Sequence, residues 1–261
     1  MLIMKLVDSH AHISMPVFSD DLDQVVSRAI NAGVIAVINP TIDSNDFIAA
    51  LKLEKKYRGF IFVALGLAPQ TATLQQLNDV LEVAKQYKGR YVAIGEVGLD
   101  FYWVKSVDRI VTMRKIFESM LGLAKELNLP LIIHARSAYG KNAYVQIAEY
   151  LKKYDIESAV FHAFFGRKSD LELIVNNGWM IGIPTVYLRR RELWKILELV
   201  PLDNILLETD SPYLAPTKGT RNEPANVVKL VNLLTTIKHM DNETVASIIL
   251  ENTKKFFNIS L

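Results

Sequence analysis

No cysteine occurs anywhere in the 261 residues. Disulfide staples, thiolate zinc sites and cysteine nucleophiles are therefore excluded, and any metal must be held by His, Asp and Glu. Equally missing is an apolar run long enough to span a bilayer. The stretch Met1 to Asp8 mixes apolar and basic residues without the apolar segment of a secretory leader. A cytoplasmic protein with no membrane attachment is the resulting expectation. There is no Pro/Gly/Ser-rich linker, so one domain over residues 1–261 is expected, with a monomer as its simplest state. Nor is there a dominant sign of charge. A net charge of +2 neither demands nor forbids an anionic partner, so local placement of charge must decide. What is present is ordinary globular material, 50% hydrophobic and 22% charged, enough to bury a substantial core.

Short apolar runs of strand length recur at Lys5–Val7, Val34–Asn39, Phe60–Leu65, Tyr91–Ile94, Leu131–Ile133, Ala159–Phe161, Met180–Ile183 and Asn204–Leu207. Between them apolar residues fall at helical spacing, as in Leu22, Val25, Val26, Ala29 and Ile30, or Ile116, Met120, Leu123, Ala124 and Leu127. Each strand start lies roughly 20 to 40 residues from the next, about what one right-handed βαβ crossover consumes. About eight such units predict an α/β fold of the (β/α)8 TIM-barrel type, although periodicity does not separate a closed barrel from an open, doubly wound sheet. Two further amphipathic segments, Glu223–Ile237 and Glu243–Phe257, predict extra C-terminal helices that complete the outer ring, with Asp241-Asn242 as turn and cap.

Four of the five histidines, His10, His12, His134 and His162, stand at the predicted C-terminal ends of strands one, five and six, the face where TIM barrels carry their active sites. The fifth, His239, falls in the turn between the last two helices and is expected on the surface. His10 and His12 lie two apart, so on a strand both rings face the barrel axis, a spacing suited to one ion. Glu96 and Asp210 follow strand runs at the same level. A lone histidine at a strand end is more often a hydrogen-bonded structural residue than a ligand. Six imidazoles and carboxylates converging on one mouth shift that balance, because unpaired carboxylates in an apolar interior are costly. A carboxylate can bridge two ions, so two divalent metal ions, zinc, magnesium or manganese, and hydrolysis by an activated water are expected.

Asp8-Ser9-His10-Ala11-His12, Gly95-Glu96-Val97-Gly98-Leu99-Asp100-Phe101-Tyr102, Leu129 to Arg136, His162-Ala163-Phe164, Leu207 to Tyr213 and Arg221-Asn222-Glu223-Pro224-Ala225 together resemble the TatD-type metal-dependent hydrolases. Those are amidohydrolase-like TIM barrels reputed to be 3' to 5' deoxyribonucleases, and the resemblance runs over nearly the whole chain. It implies that His10 and His12 bind a first ion with Asp210, that His134 and His162 bind a second, and that Glu96 bridges them. Asp210 would also take the proton in the attack. Asp8 could orient a ligand, or form a salt bridge at the barrel floor. The chain departs from the family pattern at Gly66-Leu67-Ala68-Pro69, where Gly-Ile-His-Pro is usual, and at Phe165, where a small polar residue is usual.

Cations gather in the predicted loops at Arg136, Lys141, Arg167, Lys168, Arg189 to Arg191, Lys218 and Arg221, interleaved with aromatics that include Tyr102, Trp103, Tyr139 and Phe165. Phosphates suit the former and stacked bases the latter, whereas solvated helix starts and core packing are the ordinary alternatives. Arg136, Tyr102 and Arg221 are the expected substrate contacts, with an ion pair to Glu208 or Asp100 as the alternative for Arg136. The leading expectation is an exonuclease-like phosphodiesterase acting on a DNA end. Two others compete with it: a hydrolase of a small amide, lactone or phosphoester, and a metal-containing binding protein with vestigial activity.

Overall fold

The computed structural model describes residues 4–261, so Met1 to Ile3 of the N-terminal stretch lie outside the described residues. Eight parallel strands pair in consecutive order. They are β1 (Leu6–Asp8), β2 (Val34–Pro40), β3 (Ile61–Leu65), β4 (Ala93–Asp100), β5 (Leu131–Arg136), β6 (Ala159–Phe161), β7 (Met180–Pro184) and β8 (Ile205–Glu208). Around them run α1 (Leu22–Ala32), α2 (Ser44–Lys56), α3 (Leu74–Gln86), α4 (Val107–Leu127), α5 (Ala143–Lys153), α6 (Lys168–Asn176), α7 (Trp194–Leu199), α8 (Lys229–Lys238) and α9 (Asn242–Phe257). This is the expected TIM barrel. Asp43, Thr73, Ser106, Asn142 and Asp241 each accept a backbone N–H at the start of a helix, a contact worth about 1 kcal/mol. Among the described residues no helix is long and apolar enough to cross a membrane.

Alternation along the strands divides the apolar residues into two layers. Val7, Ile38, Ala64, Ile132, Val160 and Leu206 form the inner cluster, while their neighbours Leu6, Val37, Val63, Ile133, Phe161 and Leu207 belong to the larger cluster beneath the helices. Each of the large inner side chains, such as Ile38, Ile132 and Leu206, is fully buried and stabilises the fold by roughly 1.5–3 kcal/mol. Phe257 and Ile259 join the inner cluster, so the segment at the end of α9 packs into the barrel floor.

Two strands run three or more residues further than the apolar pattern predicts. β4 extends to Asp100, because Gly95, Glu96 and Gly98 interrupt the apolar run without ending the strand, and β5 extends beside it to Arg136. The pairing of β4 with β5 also shifts: Ile94 stands opposite Leu131 and Val97 opposite Ile133, which places one extra residue on β4. Ile94 and Val97 therefore both join the outer cluster although they are three apart. With strict alternation Glu96 would face the helices; the bulge turns it inward. The segment expected as a helix from Glu223 opens as a 3-10 turn over Pro224–Val228, and the α-helix proper begins at Lys229. Proline at the first turn position is compatible with helix entry, where its missing N–H costs nothing.

Candidate metal centre

The barrel closes where β1 meets β8, and this seam carries the first group of polar side chains. The N–H of Ser9 donates to Leu207 O (3.0 Å), that of Asp210 to His10 O (2.8 Å), and that of His12 to Ser211 O (2.8 Å). His10 and His12 lie just beyond β1 rather than within it, and the seam bonds instead of a strand ladder set their register. Asp8 is fully buried and accepts from Thr209 N (2.8 Å) and Thr209 Oγ1 (2.6 Å). It therefore ties the first strand to the residue before Asp210, and the salt bridge considered for it does not form. Without a cation beside it, burial raises its pKa to about 7 despite these donors. Asn222 Nδ2 donates to Thr209 O (2.8 Å) and Tyr213 O (2.7 Å), holding the loop in which Asp210 adopts a φ of 57°.

His10 Nε2 and His12 Nε2 lie 3.1 Å apart. Glu96 Oε2 lies 3.7 and 3.5 Å from them, and Asp210 Oδ1 lies 3.6 Å from each. On the other side Glu96 Oε1 is 2.6 Å from His134 Nδ1 and 3.3 Å from His162 Nε2, which are themselves 3.3 Å apart. One carboxylate thus presents an oxygen to each pair of imidazoles. Close packing fixes it there: a Cβ on Gly66 would lie 2.2 Å from Glu96 N, so the end of β3 approaches β4 only because residue 66 has no side chain.

The second nitrogens of the rings complete the picture. His12 Nδ1 meets Pro40 O at 3.2 Å and His134 Nε2 meets Asp100 Oδ2 at 2.9 Å, the contacts that fix ring orientation and tautomer in metal sites. Burial by itself would raise the pKa of Glu96, but the charge of His162 and hydrogen bonds from His10, His12 and His134 outweigh it and hold the carboxyl well below its usual range. Burial opposes protonation of His12 and His134; bonding to Glu96, and for His134 first to Asp100, overcomes it and lifts both to about 9. His10 is pushed the other way, by burial and by His162. Burial raises Asp210, against the pull of His162 and His12. A divalent cation would need these rings neutral and the carboxyls ionised, so protons and metal compete for the same nitrogens.

The donor set fits cations. Separations of 3.1 to 3.7 Å among nitrogens and oxygens suit ligands grouped around an ion roughly 2.0–2.2 Å from each. His10, His12 and Glu96 form one group that could hold an ion, and Glu96, His134 and His162 another. His10 Nδ1 and His162 Nδ1 are buried with no hydrogen-bond partner, so protein contacts alone do not satisfy these rings.

The sequence reasoning missed the role of two carboxylates. Asp100 and Glu208 were considered only as partners for Arg136, yet neither pairs with it. Asp100 holds His134, and also accepts from Tyr102 N and Trp103 N at 2.9 Å. Glu208 accepts from Ala163 N (2.5 Å) and lies 3.9 Å from His162 Nδ1; burial and then Asp210 push its pKa well above the usual carboxylate range. A Cβ on Gly182 would fall 2.2 Å from Glu208 Oε2, so β7 leaves room for this side chain. The available signal was parity: Glu208 stands two residues before Asp210 and alternates with outer-layer Leu207. Gln70, also missed, places its amide 3.2 Å from His134 Nε2 and lines the mouth beside Ala68.

Of the expected substrate contacts, Arg136 lines the mouth, with its guanidinium 4.2 Å from the ring centroid of Tyr102 and 5.8 Å from that of Trp103. Tyr102 is exposed and stacks against Arg136. Arg221 is engaged elsewhere: it binds Asp21 through both amino groups (2.8 and 2.6 Å) and stacks over Phe18, joining the segment before α1 to the loop after β8. A bidentate carboxylate partner accounts for its position outside the mouth. His239 is exposed, as expected.

A TIM barrel whose mouth gathers four imidazoles around a central carboxylate is the architecture of a metal-dependent hydrolase. The chain belongs to the TatD related DNase family, whose sequence model matches residues 7–258. It is 35% identical to the Deoxyribonuclease TATDN3 of Homo sapiens, with 97% of this chain and 94% of that protein covered. It is 30% identical to the 3'-5' ssDNA/RNA exonuclease TatD of Pantoea vagans, over 98% of this chain and all of the relative. The crystal structure of YJJV, a TatD homologue from Escherichia coli K12, superposes with a TM-score of 0.88 at 28% identity, covering 99% of this chain and all of the other.

Proposed function

We propose that the chain acts as one catalytic unit, a phosphodiesterase that releases nucleotides from an end of single-stranded DNA, in the 3' to 5' sense named for the Pantoea relative. The observation that carries this reading is Glu96, whose two oxygens face His10 and His12 on one side and His134 and His162 on the other. His10, His12 and Asp210 would hold one divalent ion and His134 and His162 a second, with Glu96 between; zinc, magnesium and manganese all suit such ligands. Ions so held supply positive charge to the phosphoryl oxygens and bring the acidity of a water molecule toward neutral pH.

The chain's own residues do the rest. Asp210, lining the mouth beside His10 and His12, accepts the proton of the attacking water, a contribution of typically 10²–10⁴ in rate. Arg136, among the described residues without a carboxylate partner, is free to bind a non-bridging phosphate oxygen, with Tyr102 stacked against it to limit its rotamers. Asp100 and Pro40 O hold the rings of His134 and His12 in register.

The test is release of nucleotides from single-stranded DNA with Mg²⁺, Mn²⁺ or Zn²⁺, beside elemental analysis of the purified protein and of His134→Ala. Release that depends on metal, with metal content lowered in the variant, is expected; no release with any of the three ions rejects the reading. A second reading is favoured by the cavity over Glu96, whose lining includes Met15, Ile42 and Ala68 and which could take a small apolar ester, amide or lactone. Competing the two substrate classes on one preparation decides between them.

A further inference from the structure

The cavity over Glu96, about 560 Å³, does not end at the metal centre. It shares His134, Arg136, His162 and Asp210 with a second cavity of about 470 Å³, which adds Phe165 and Arg190. That one shares Ser137, Tyr144 and Phe165 with a third, of about 450 Å³, which adds Lys141 and Arg167. Each lies in the size range of a site for one small ligand, roughly 300–1,000 Å³. Together they form a channel from the metal centre across the loops after β5 and β6.

Charge is distributed unevenly along it. The first cavity carries Arg136 as its cation and counts Met15, Ile42 and Ala68 among its apolar lining; the second and third add Arg190, Lys141 and Arg167. Lys141 and Arg167 are exposed and, unlike their neighbours Lys168 and Arg190, have no carboxylate within ion-pair distance among the described residues. The acidic residue of the third cavity, Asp170, is buried and already accepts from Asn142 Nδ2 and Arg167 N, both at 2.8 Å. Phe165 stands at the junction of the second and third cavities, 40% exposed, and Tyr139 lines the third at 62% exposed. Apolar rings of this size left in water between cations are what a single-stranded nucleic acid uses, phosphates on the cations and bases on the rings.

We infer that the strand runs in one direction only from the metal centre, over Phe165 to Lys141 and Arg167, so that the protein grips nucleotides beyond the bond it cuts. The terminal nucleotide then occupies the first cavity. This rests on the phosphodiesterase reading and adds to it a dependence on substrate length.

The test compares the wild type with the double variant Lys141→Glu/Arg167→Glu on a dinucleotide and on a longer single-stranded oligonucleotide. Binding of the labelled longer strand in excess chelator is measured in parallel, as a readout that does not need catalysis. The expected result is an unchanged kcat/KM on the dinucleotide and weaker binding of the longer strand, on the order of tenfold. The slope of log affinity against log salt should become shallower by about 1.4, two contacts at about 0.7 each. Phe165→Ala should weaken binding of the same strand by about 5-fold to 150-fold, the range for one lost base–ring stack. Equal effects on short and long substrates, or an unchanged salt slope, overturn the inference while leaving the phosphodiesterase reading intact. Loss of strand binding in the double variant, with no cleavage of any substrate by the wild type, overturns the phosphodiesterase reading and the length dependence with it, and leaves only a strand-binding track.

Discussion

The two halves of the candidate metal centre are built differently. His134 and Glu96 sit on neighbouring, paired strands, where the backbone ladder from Val97–Ile133 to Asp100–Arg136 sets their positions before any side chain is considered. His10, His12 and Asp210 sit beyond the ends of β1 and β8, where the ladder has thinned to single bonds across the seam and buried side chains take over its work. Asp8, Thr209 and Asn222 are all buried there; Asp8 and Asn222 bond backbone atoms of Thr209, and the Thr209 hydroxyl donates to Asp8. One half thus inherits its precision from the fold and the other from a local polar network, which should leave the two halves vulnerable to different substitutions.

The largest effect should come from the one side chain they share. Glu96→Ala removes an oxygen from each half at once, and activity should fall by about a thousandfold or more, with metal content from elemental analysis falling in step. Asp100→Asn acts only on the ladder half. Its amide oxygen can still accept from Tyr102 N and Trp103 N, so thermal stability should hold, while the loosened His134 ring weakens metal affinity by about 10- to 100-fold in a chelator competition. Thr209→Val acts only on the seam. It keeps the volume but leaves Asp8 Oδ2 without its 2.6 Å donor, and denaturant unfolding should show a loss of about 1–3 kcal/mol. Equal losses of stability in these two variants would erase the distinction between the halves. Smallest of all, Arg221→Ala breaks a solvent-exposed pairing away from the mouth and should leave KM for single-stranded DNA unchanged; a raised KM would return Arg221 to the substrate site.

Much of this was legible in the chain. All eight strand positions follow from apolar runs of the right length, and the Asp241 cap from its place before an amphipathic segment, because these signals are local. The convergence of His10, His12, Glu96, His134, His162 and Asp210 was legible too, through strand-end position in a barrel and through motif resemblance. What escaped depended on partners distant in sequence. Arg221 meets Asp21 some 200 positions away, and no pattern around either residue announces the pair. Arg136 chose an aromatic face over Asp100 and Glu208 because those carboxylates were already engaged with His134 and with Ala163 N. The length of β4 escaped for another reason: its glycines look like a break in the strand, yet they are where neighbouring backbone approaches too closely for any side chain.

The extra residue between Ile94 and Val97 has an arithmetic consequence. A pleated strand counts in twos, so which wall a carboxylate belongs to is a matter of odd or even, and one inserted position changes the parity for everything before it relative to everything after. Excising Gly95 would restore an even count and leave residue 96 between two outward side chains, still turned to the axis, so the inserted position is what lets Ile94 and Glu96 keep opposite walls at a spacing of two.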